Sequence, residues 1–173
     1  MRGDRTRQVL AVLGSIAFFF AAPGTVVALV PWWLSGWRIQ AMFPGASVLR
    51  FVGAILVITG ILILMDSFAR FALHGLGTPA PVSPPRRLVT IGLYRYVRNP
   101  MYLGVVSAVV GQALLFGSLG LLAYGGLVAI TVHLFVAGYE EPKLRATFGD
   151  EFDAFCAHVP RWLPRLRPWA GQA

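Results

Sequence analysis

The sequence predicts an all-α polytopic membrane protein with about four transmembrane helices, in which the last two helices form a tight hairpin and a short cytoplasmic helix follows. Three observations support this fold class. Hydrophobic residues make up 57% of the 173 residues, charged residues only 13%, and two long segments carry no formal charge. A soluble domain needs more polar surface than this. The composition also excludes a disordered chain and a collagen-like fibre.

The first predicted span lies within Gln8–Trp37, a run of thirty residues without a formal charge that follows three arginines. About twenty apolar residues are enough to cross a bilayer. We expect a kink near Pro23-Gly24 and the end of the helix at Pro31, because proline disrupts helical hydrogen bonding. A cleaved signal peptide is the alternative interpretation, although the apolar run is longer than the core of a signal peptide.

The second predicted span runs from Ala46 to Met65. Its one charged residue, Arg50, lies near an end, where a long side chain can extend to the membrane interface. Asp66 and Arg70 are expected to mark the exit of this span from the bilayer.

The third and fourth spans are predicted within Asn99–Tyr139, forty-one residues without a formal charge. This length suits two spans of about eighteen residues joined by a turn. Residues 117–120, Gly-Ser-Leu-Gly, are expected to form that turn. The third span begins at Asn99-Pro100, because asparagine suits a helix cap and proline the first helical position.

The net charge of +8 is explained by the topology without a nucleic-acid partner. The successive segments outside the predicted spans contain three, two, five, no and five Lys and Arg residues. Since successive segments lie on alternate sides of the membrane, most of these residues lie on one side. The positive-inside rule then predicts an inner-membrane protein with both termini in the cytoplasm. We expect a single membrane domain, residues 1–173, divided into a two-span scaffold (1–70), a partly proline-rich cytoplasmic connector (71–98), the helical hairpin (99–139) and a cytoplasmic tail for a cofactor site (140–173).

The start of the third span is a candidate anion site. The first backbone N–H groups of a helix and the positive end of its dipole can hold a carboxylate or a phosphate. Arg95 and Arg98 precede Asn99 by one turn or less and add positive charge. The alternative is that both arginines only contact lipid phosphates.

Glu140 and Glu141 are adjacent carboxylates at the predicted end of the fourth span, where the helix dipole is already negative. A bound cationic group would explain their position. We expect one carboxylate to face a ligand while the other pairs with Lys143 or Arg145. The alternative is that both side chains belong to a solvated first turn of a cytoplasmic helix.

His133 is expected on one helical stripe with Val136 and Glu140, since residues four and seven apart share a face. It fits a polar residue packed between spans better than a metal ligand, because its span has no second ligand at a suitable spacing. The single cysteine, Cys156, cannot form an intramolecular disulfide or a thiolate zinc cluster. No metal site is predicted.

Several motifs resemble those of one known superfamily. They are GLYRYVRNPMYLG at residues 92–104, EEPKL at 140–144, FG at 148–149 and VPRW at 159–162. In this order and spacing, residues 86–165 resemble the isoprenylcysteine carboxyl methyltransferase and phospholipid methyltransferase superfamily of integral membrane enzymes.

The resemblance implies an S-adenosylmethionine-dependent methyltransferase that binds its cofactor at the cytoplasmic end of the hairpin and acts on a lipophilic or lipid acceptor from the bilayer. Tyr102, Tyr139 and His133 are candidates for lining the point where cofactor and acceptor meet, and Tyr102 and His133 are the predicted catalytic residues. His133 would remove a proton from an amine or thiol. The implied cofactor-binding residues are Arg87, Leu88, Val89, Tyr94, Arg98, Asn99, Pro100, Met101, Tyr102 and Glu140.

Two positions differ from the family pattern. Asn99 stands where many members have histidine, which excludes an imidazole role there. Val136 stands where enzymes that methylate prenylcysteine have an arginine for the substrate carboxylate. A carboxylate acceptor is therefore disfavoured, whereas an amine, a thiol and a neutral lipid headgroup remain open.

Two other functions are compatible with the sequence. A reductase on a related scaffold would bind a nicotinamide cofactor and need more spans and a larger basic cluster. A non-catalytic lipid-binding or assembly protein would use its glycine faces, Gly53/Gly60 and Gly104/Gly111, for close helix packing within a chain or in a homo-oligomer.

Overall fold

The computed structural model describes residues 20–40, 46–74 and 88–170, and these ranges contain helices and no strand. The predicted all-α class is therefore confirmed for this part of the chain. The first half of the predicted first span and the proline-rich stretch of the connector lie outside the described residues. The helices are α1 (Thr25–Ser35), α2 (Ser47–His74), α3 (Pro100–Phe116), α4 (Leu119–Phe135), α5 (Glu141–Phe148) and α6 (Asp150–His158), with a 3₁₀ turn at Gly92–Arg95 and π turns at Thr25–Leu29 and Val136–Glu140.

Two helical segments are long and apolar enough to cross a membrane, Ser47–Arg70 and Leu119–Phe148. Only 17% and 22% of their most apolar windows are buried inside the protein, which is unlike the core helix of a soluble domain. The apolar helices Thr25–Ser35 and Pro100–Phe116 are shorter than a full span. These helices are consistent with a helical membrane protein, and the count of four spans stays a prediction.

The sequence predicts that helix α1 ends at Pro31. This prediction is wrong, because the helix continues to Ser35 and stops at Gly36. Proline lacks the N–H that would bond a carbonyl one turn earlier. The π turn changes the bonding register just before it, so that Val30 N–H bonds to Thr25 O. Side chains from other helices, described below, satisfy carbonyls of this turn, which allows the proline inside an apolar helix.

Helix α2 extends to His74, beyond Met65 where the predicted second span ends, and the exit from the bilayer at Asp66 and Arg70 stays a prediction. Asp66 and Arg70 lie inside this helix and form an ion pair of 2.7 Å across one helical turn. Because each charge has its partner on the same face, neither residue ends the helix.

Glycines allow α2 and α3 to approach closely. A Cβ atom at Gly53 would lie 2.6 Å from the carbonyl oxygen of Gly111, and one at Gly60 would lie 2.7 Å from that of Gly104. The predicted glycine faces thus pack against each other within one chain. Their use within the chain removes the sequence argument that they join two copies.

The α3–α4 hairpin is confirmed, but its turn is shorter than the predicted four residues. Gly117 adopts a left-handed conformation (φ 71°) directly after α3, and Ser118 caps α4 by accepting a hydrogen bond from Leu121 N–H at 3.3 Å. Leu119 and Gly120 belong to α4.

The helix that forms the fourth predicted span does not end near Tyr139, whereas the end of the span itself stays a prediction. Helix α4, the π turn Val136–Glu140 and α5 form one continuous helix, Leu119–Phe148. Glu140 and Glu141 therefore lie inside a helix and not at its negative end, so the dipole argument for a cationic ligand does not apply to them.

The segment after α6 returns to the start of α3 and pairs with it through backbone hydrogen bonds. Arg98 N–H donates to Pro160 O at 2.9 Å, and Arg165 N–H donates to Tyr96 O at 3.0 Å. Behind this pairing, Phe152, Phe155 and Val159 form a buried cluster. The C-terminal segment is thereby fixed beside the candidate site.

Candidate active site

A cavity of about 530 Å³ lies between α1, α3 and the long helix Leu119–Phe148, and α6 contributes to one end. The beginning of α3 and the residues near Glu140 form its polar end. Toward the middle of the hairpin its walls become apolar. The polar end contains Tyr94, Arg98, Asn99, Tyr102, Glu140 and Glu141, and the apolar half contains Ala22, Pro23, Val26, Val105, Tyr124, Leu127, Val128, Thr131, Val132 and Phe135.

Tyr102 and Glu140 meet at the polar end of the cavity. The Tyr102 hydroxyl donates a 2.9 Å hydrogen bond to Glu140 Oε2. Among the described residues, no hydrogen bond reaches the other carboxylate oxygen, Oε1, which leaves it available to a ligand. The alternative of a solvated glutamate pair is therefore wrong for both residues, since Glu140 lines the cavity and Glu141 is buried.

The π turn explains why Glu140 faces the cavity while His133 does not. An α-helix rotates about 100° per residue, and a π turn holds one extra residue, so faces after the turn are shifted by about that angle. His133 consequently leaves the stripe predicted for it. It is exposed, lies outside the cavity lining, and accepts a 3.0 Å hydrogen bond at Nδ1 from Trp162 Nε1.

Asn99 occupies the cap position before α3, and Pro100 is the first helical residue, as predicted. The Asn99 side chain does not cap the helix, however, because its Nδ2 donates to Arg161 O at 3.3 Å. Pro100 has no N–H, so the free donors of this first turn are the backbone amides of Met101 and Tyr102. Asn99, Met101 and Tyr102 line the cavity, whereas Pro100 is buried outside the lining.

Glu141 forms ion pairs with two arginines, and neither of them is one of its predicted partners, Lys143 and Arg145. Arg161 donates to both of its oxygens at 2.7 Å, and Arg98 Nη1 lies 3.2 Å from Oε1. Arg145 instead binds Asp153 at 2.7 Å. Arg98 therefore lines the cavity with its charge already balanced by Glu141, which weakens its predicted role as a direct cofactor ligand.

Arg98 also contacts the single cysteine. Its Nη1 lies 2.6 Å from Cys156 Sγ on α6. Burial raises the pKa of the Cys156 thiol, and the nearby Arg98 charge opposes this shift only in part. The thiol is therefore a hydrogen-bonding and packing group next to the cavity.

Leu88, Val89 and Tyr94 contribute a further part of the cavity wall. Val89 and Tyr94 are buried, and all three line the cavity. Burial, followed by the charge of Glu140, raises the pKa of the Tyr94 hydroxyl well above its usual value. Tyr94 is thus a neutral donor. Arg87 precedes these residues and lies outside the described part of the chain.

Tyr124, which lines the cavity, and Gln112, which holds α1 beside it, are not indicated by the sequence motifs. Tyr124 lines the apolar half, and its hydroxyl donates to Val26 O at 3.2 Å. Buried Gln112 donates to Val27 O at 2.8 Å and accepts from Trp37 Nε1 at 3.1 Å. A glutamine within a charge-free span is itself a signal, since polar residues in membranes are costly and seldom without a role.

Comparison with known proteins agrees with this geometry. The sequence profile of the phospholipid methyltransferase family matches residues 48–151, which include α2, the hairpin and Glu140. The chain belongs to this family. The resemblance given by the motifs is therefore confirmed, and the protein is a member of a membrane methyltransferase family.

One curated relative of this phospholipid methyltransferase family member is Methanethiol S-methyltransferase 1 of Bradyrhizobium diazoefficiens. The two sequences are 31% identical over 123 residues, which cover 68% of this chain and 40% of the relative. The chain thus matches less than half of the relative's length. No solved structure matches the chain significantly.

Proposed function

We propose that this family member is an S-adenosylmethionine-dependent methyltransferase whose acceptor is an uncharged lipophilic molecule. The observation that carries the proposal is one continuous cavity with two chemically different halves. The polar end presents Tyr102, Glu140 and the first amides of α3, while the other half is apolar. A charged cofactor and an apolar acceptor can meet between them.

The polar end fits the chemistry of S-adenosylmethionine. A free carboxylate oxygen on Glu140 suits the cofactor's amino group or a ribose hydroxyl. The amides of Met101 and Tyr102 suit its carboxylate, because they belong to the first turn of α3. Leu88 and Val89 offer an apolar surface for the adenine ring. We propose that Tyr94, Asn99 and Tyr102 complete this half.

When bound, the cofactor supplies a methyl group on a sulfonium sulfur. The residues of this chain contribute alignment and the exclusion of water, which are the main factors for an in-line methyl displacement. Tyr102 holds Glu140 in one orientation and so fixes the cofactor end. Val105 and Phe135 form apolar walls beside the point where the two halves join.

A thiol is the acceptor class that we propose to test first. A carboxylate acceptor would need a cationic partner. Among the described residues, the cations that line the cavity are Arg98, which pairs with Glu141, and Lys143, which lies one helical turn after Glu140. Both belong to the polar end. Val136, at the family's arginine position, is fully buried and lies outside that lining. The relative named above is, by its name, an enzyme of methanethiol. An amine and a neutral lipid headgroup are the other acceptors compatible with this half.

The proposal includes a membrane orientation. We propose that the polar end faces the cytoplasm, where the cofactor is made, and that the protein resides in the inner membrane. This orientation agrees with the distribution of Lys and Arg along the chain.

Calorimetry on the purified protein tests the cofactor assignment. We expect S-adenosylmethionine to bind and Glu140→Gln to weaken binding about tenfold or more, the loss of a hydrogen bond to a charged group. Glu151→Gln is the matched control, because Glu151 is exposed and outside the cavity lining. Binding of NADPH in place of S-adenosylmethionine would support a reductase, and binding of neither would support a non-catalytic role.

A second assay tests the acceptor. Purified protein in lipid nanodiscs is incubated with methyl-labelled S-adenosylmethionine and simple alkanethiols. We expect labelled methyl sulfides and S-adenosylhomocysteine to form in equal amounts, with release of the thiol proton, and with less product from Glu140→Gln. Methylated phospholipid in the absence of added thiol would instead identify a lipid headgroup as the acceptor.

A further inference from the structure

The apolar half of the cavity is lined in part by an element outside the region that matches the family profile. Ala22, Pro23 and Val26 lie immediately before or within α1, and they line the cavity together with Tyr124 and Val128 of α4. The profile match begins at residue 48. This wall therefore lies outside the residues that the profile matches.

Two hydrogen bonds hold α1 in this position. Tyr124 Oη donates to Val26 O at 3.2 Å, and Gln112 Nε2 donates to Val27 O at 2.8 Å. Both carbonyls lie one turn before Pro31, which has no N–H to bond them. The two bonds thus satisfy backbone groups that an apolar environment would otherwise leave unpaired, and they fix the helix against the hairpin.

The bond between Tyr124 and Val26 also crosses the cavity's edge, because both residues line the cavity. It joins α1 to α4 at that level. Val26 further packs against the cluster of Leu64, Phe68 and Val105, so the wall is supported from behind.

We propose that α1 and Tyr124 form the end wall of the acceptor subsite, and that this wall restricts the acceptor to short, uncharged, apolar molecules. The proposal rests on the proposed methyltransferase function. Tyr124 is then a specificity-determining residue, since it limits the length of the apolar half without touching the cofactor end.

Chain-length selectivity tests this proposal. Rates are measured for straight-chain alkanethiols of increasing length at saturating S-adenosylmethionine. We expect kcat/KM of the wild type to fall steeply beyond a short chain. Tyr124→Ala should extend the tolerated length, with a gain of about fourfold for each methylene newly buried. Tyr124→Phe, which keeps the ring and loses only the bond to Val26, should give a smaller shift in the same direction.

Leu122→Ala is the matched control, because Leu122 lies on the same helix, is exposed and does not line the cavity. Its length profile should equal that of the wild type. Calorimetric affinity for S-adenosylmethionine should be equal in all four proteins, which also verifies that the variants are folded. Identical length profiles for Tyr124→Ala and the wild type would overturn the proposal.

A labelling experiment separates failure of the wall from failure of the proposed acceptor class. The proteins are irradiated with butyl and dodecyl diazirines, and labelled peptides are mapped by mass spectrometry. The butyl probe should label residues 22–26 and 124–128 in the wild type, whereas the dodecyl probe should label them efficiently only in Tyr124→Ala. If this labelling pattern appears but no thiol is methylated, the proposed acceptor class is wrong, whereas the proposal that α1 and Tyr124 form the end wall is supported. Equal dodecyl labelling of both proteins would refute the wall even if thiols are methylated.

Discussion

Arg161 binds Glu141 through two parallel hydrogen bonds of 2.7 Å, and this ion pair joins the C-terminal segment to the long helix that carries Glu140. Arg98 lies 3.2 Å from the same carboxylate. One glutamate thus connects three parts of the chain beside the polar end of the cavity: the start of α3, helix α5 and the segment after α6.

Removal of this carboxylate charge should destabilise the protein. In Glu141→Gln, two neighbouring guanidinium groups lose their common partner. Loss of one member of a buried ion pair is costly, and we expect the free energy of unfolding to fall by about 3 kcal/mol. Thermal and denaturant unfolding in detergent would measure the change. Arg145→Gln is the control, because its pair with Asp153 is about half exposed and should contribute nothing measurable. Equal stabilities of the two variants would contradict this prediction.

Close packing of α2 on α3 should not tolerate a side chain at Gly53. A Cβ atom there would lie 2.6 Å from Gly111 O, so Gly53→Ala must separate the helices. We expect a loss of about 2 kcal/mol, typical of overpacking. Gly126→Ala provides the comparison, because it meets no atom within 4 Å. That variant should be as stable as the wild type or slightly more stable, since alanine favours the helix. A thermal melt that ranks the two variants in the reverse order would disprove the packing argument.

The Tyr102 hydroxyl should contribute to cofactor binding through Glu140. Tyr102→Phe removes the 2.9 Å hydrogen bond and leaves the carboxylate free to rotate. We expect the affinity for S-adenosylmethionine to fall about tenfold, the effect of one hydrogen bond to a charged group. Tyr96→Phe serves as control, since Tyr96 does not line this cavity. Should both variants bind the cofactor as the wild type does, the hydroxyl has no role in holding Glu140.

Gln112 should stabilise the position of α1. Gln112→Leu would leave Val27 O and Trp37 Nε1 without their partner. Side-chain hydrogen bonds between membrane helices contribute modestly, and we expect a loss of about 1 kcal/mol. The environment of Trp37 should also change, which a shift in tryptophan fluorescence would report, and the shift should be absent when Gln112→Leu is combined with Trp37→Phe. An unchanged spectrum would mean that Trp37 does not depend on Gln112.

Features encoded by short stretches of sequence were predictable. The hairpin followed from the charge-free length and the glycines of its turn, and the helix start at Asn99 followed from the Asn-Pro pair. Close helix packing at the facing glycines was predictable because glycine allows two helix backbones to approach each other. In each case the residues that determine the structure are adjacent or regularly spaced.

Features that depend on distant residues were not predictable in the same way. Helical spacing predicts His133 and Glu140 on one stripe, but the π turn at Val136–Glu140 rotates them apart. Nothing near Glu141 indicates that Arg161 is its partner, and Tyr124 and Val26 are 98 residues apart. Such pairs depend on how the helices pack, which a hydropathy pattern does not specify.

The continuity of the helix Leu119–Phe148 has a consequence for how bilayer thickness acts on the protein. Glu140 lies about 32 Å from the first residue of this helix at 1.5 Å per residue, close to the thickness of the hydrocarbon layer of about 30 Å. This one continuous helix therefore determines how deep the Glu140 carboxylate lies in the membrane. In a thicker membrane Glu140 would lie closer to the acyl chains unless the helix became more upright. In a thinner membrane the helix would tilt so that its apolar residues stay within the hydrocarbon layer.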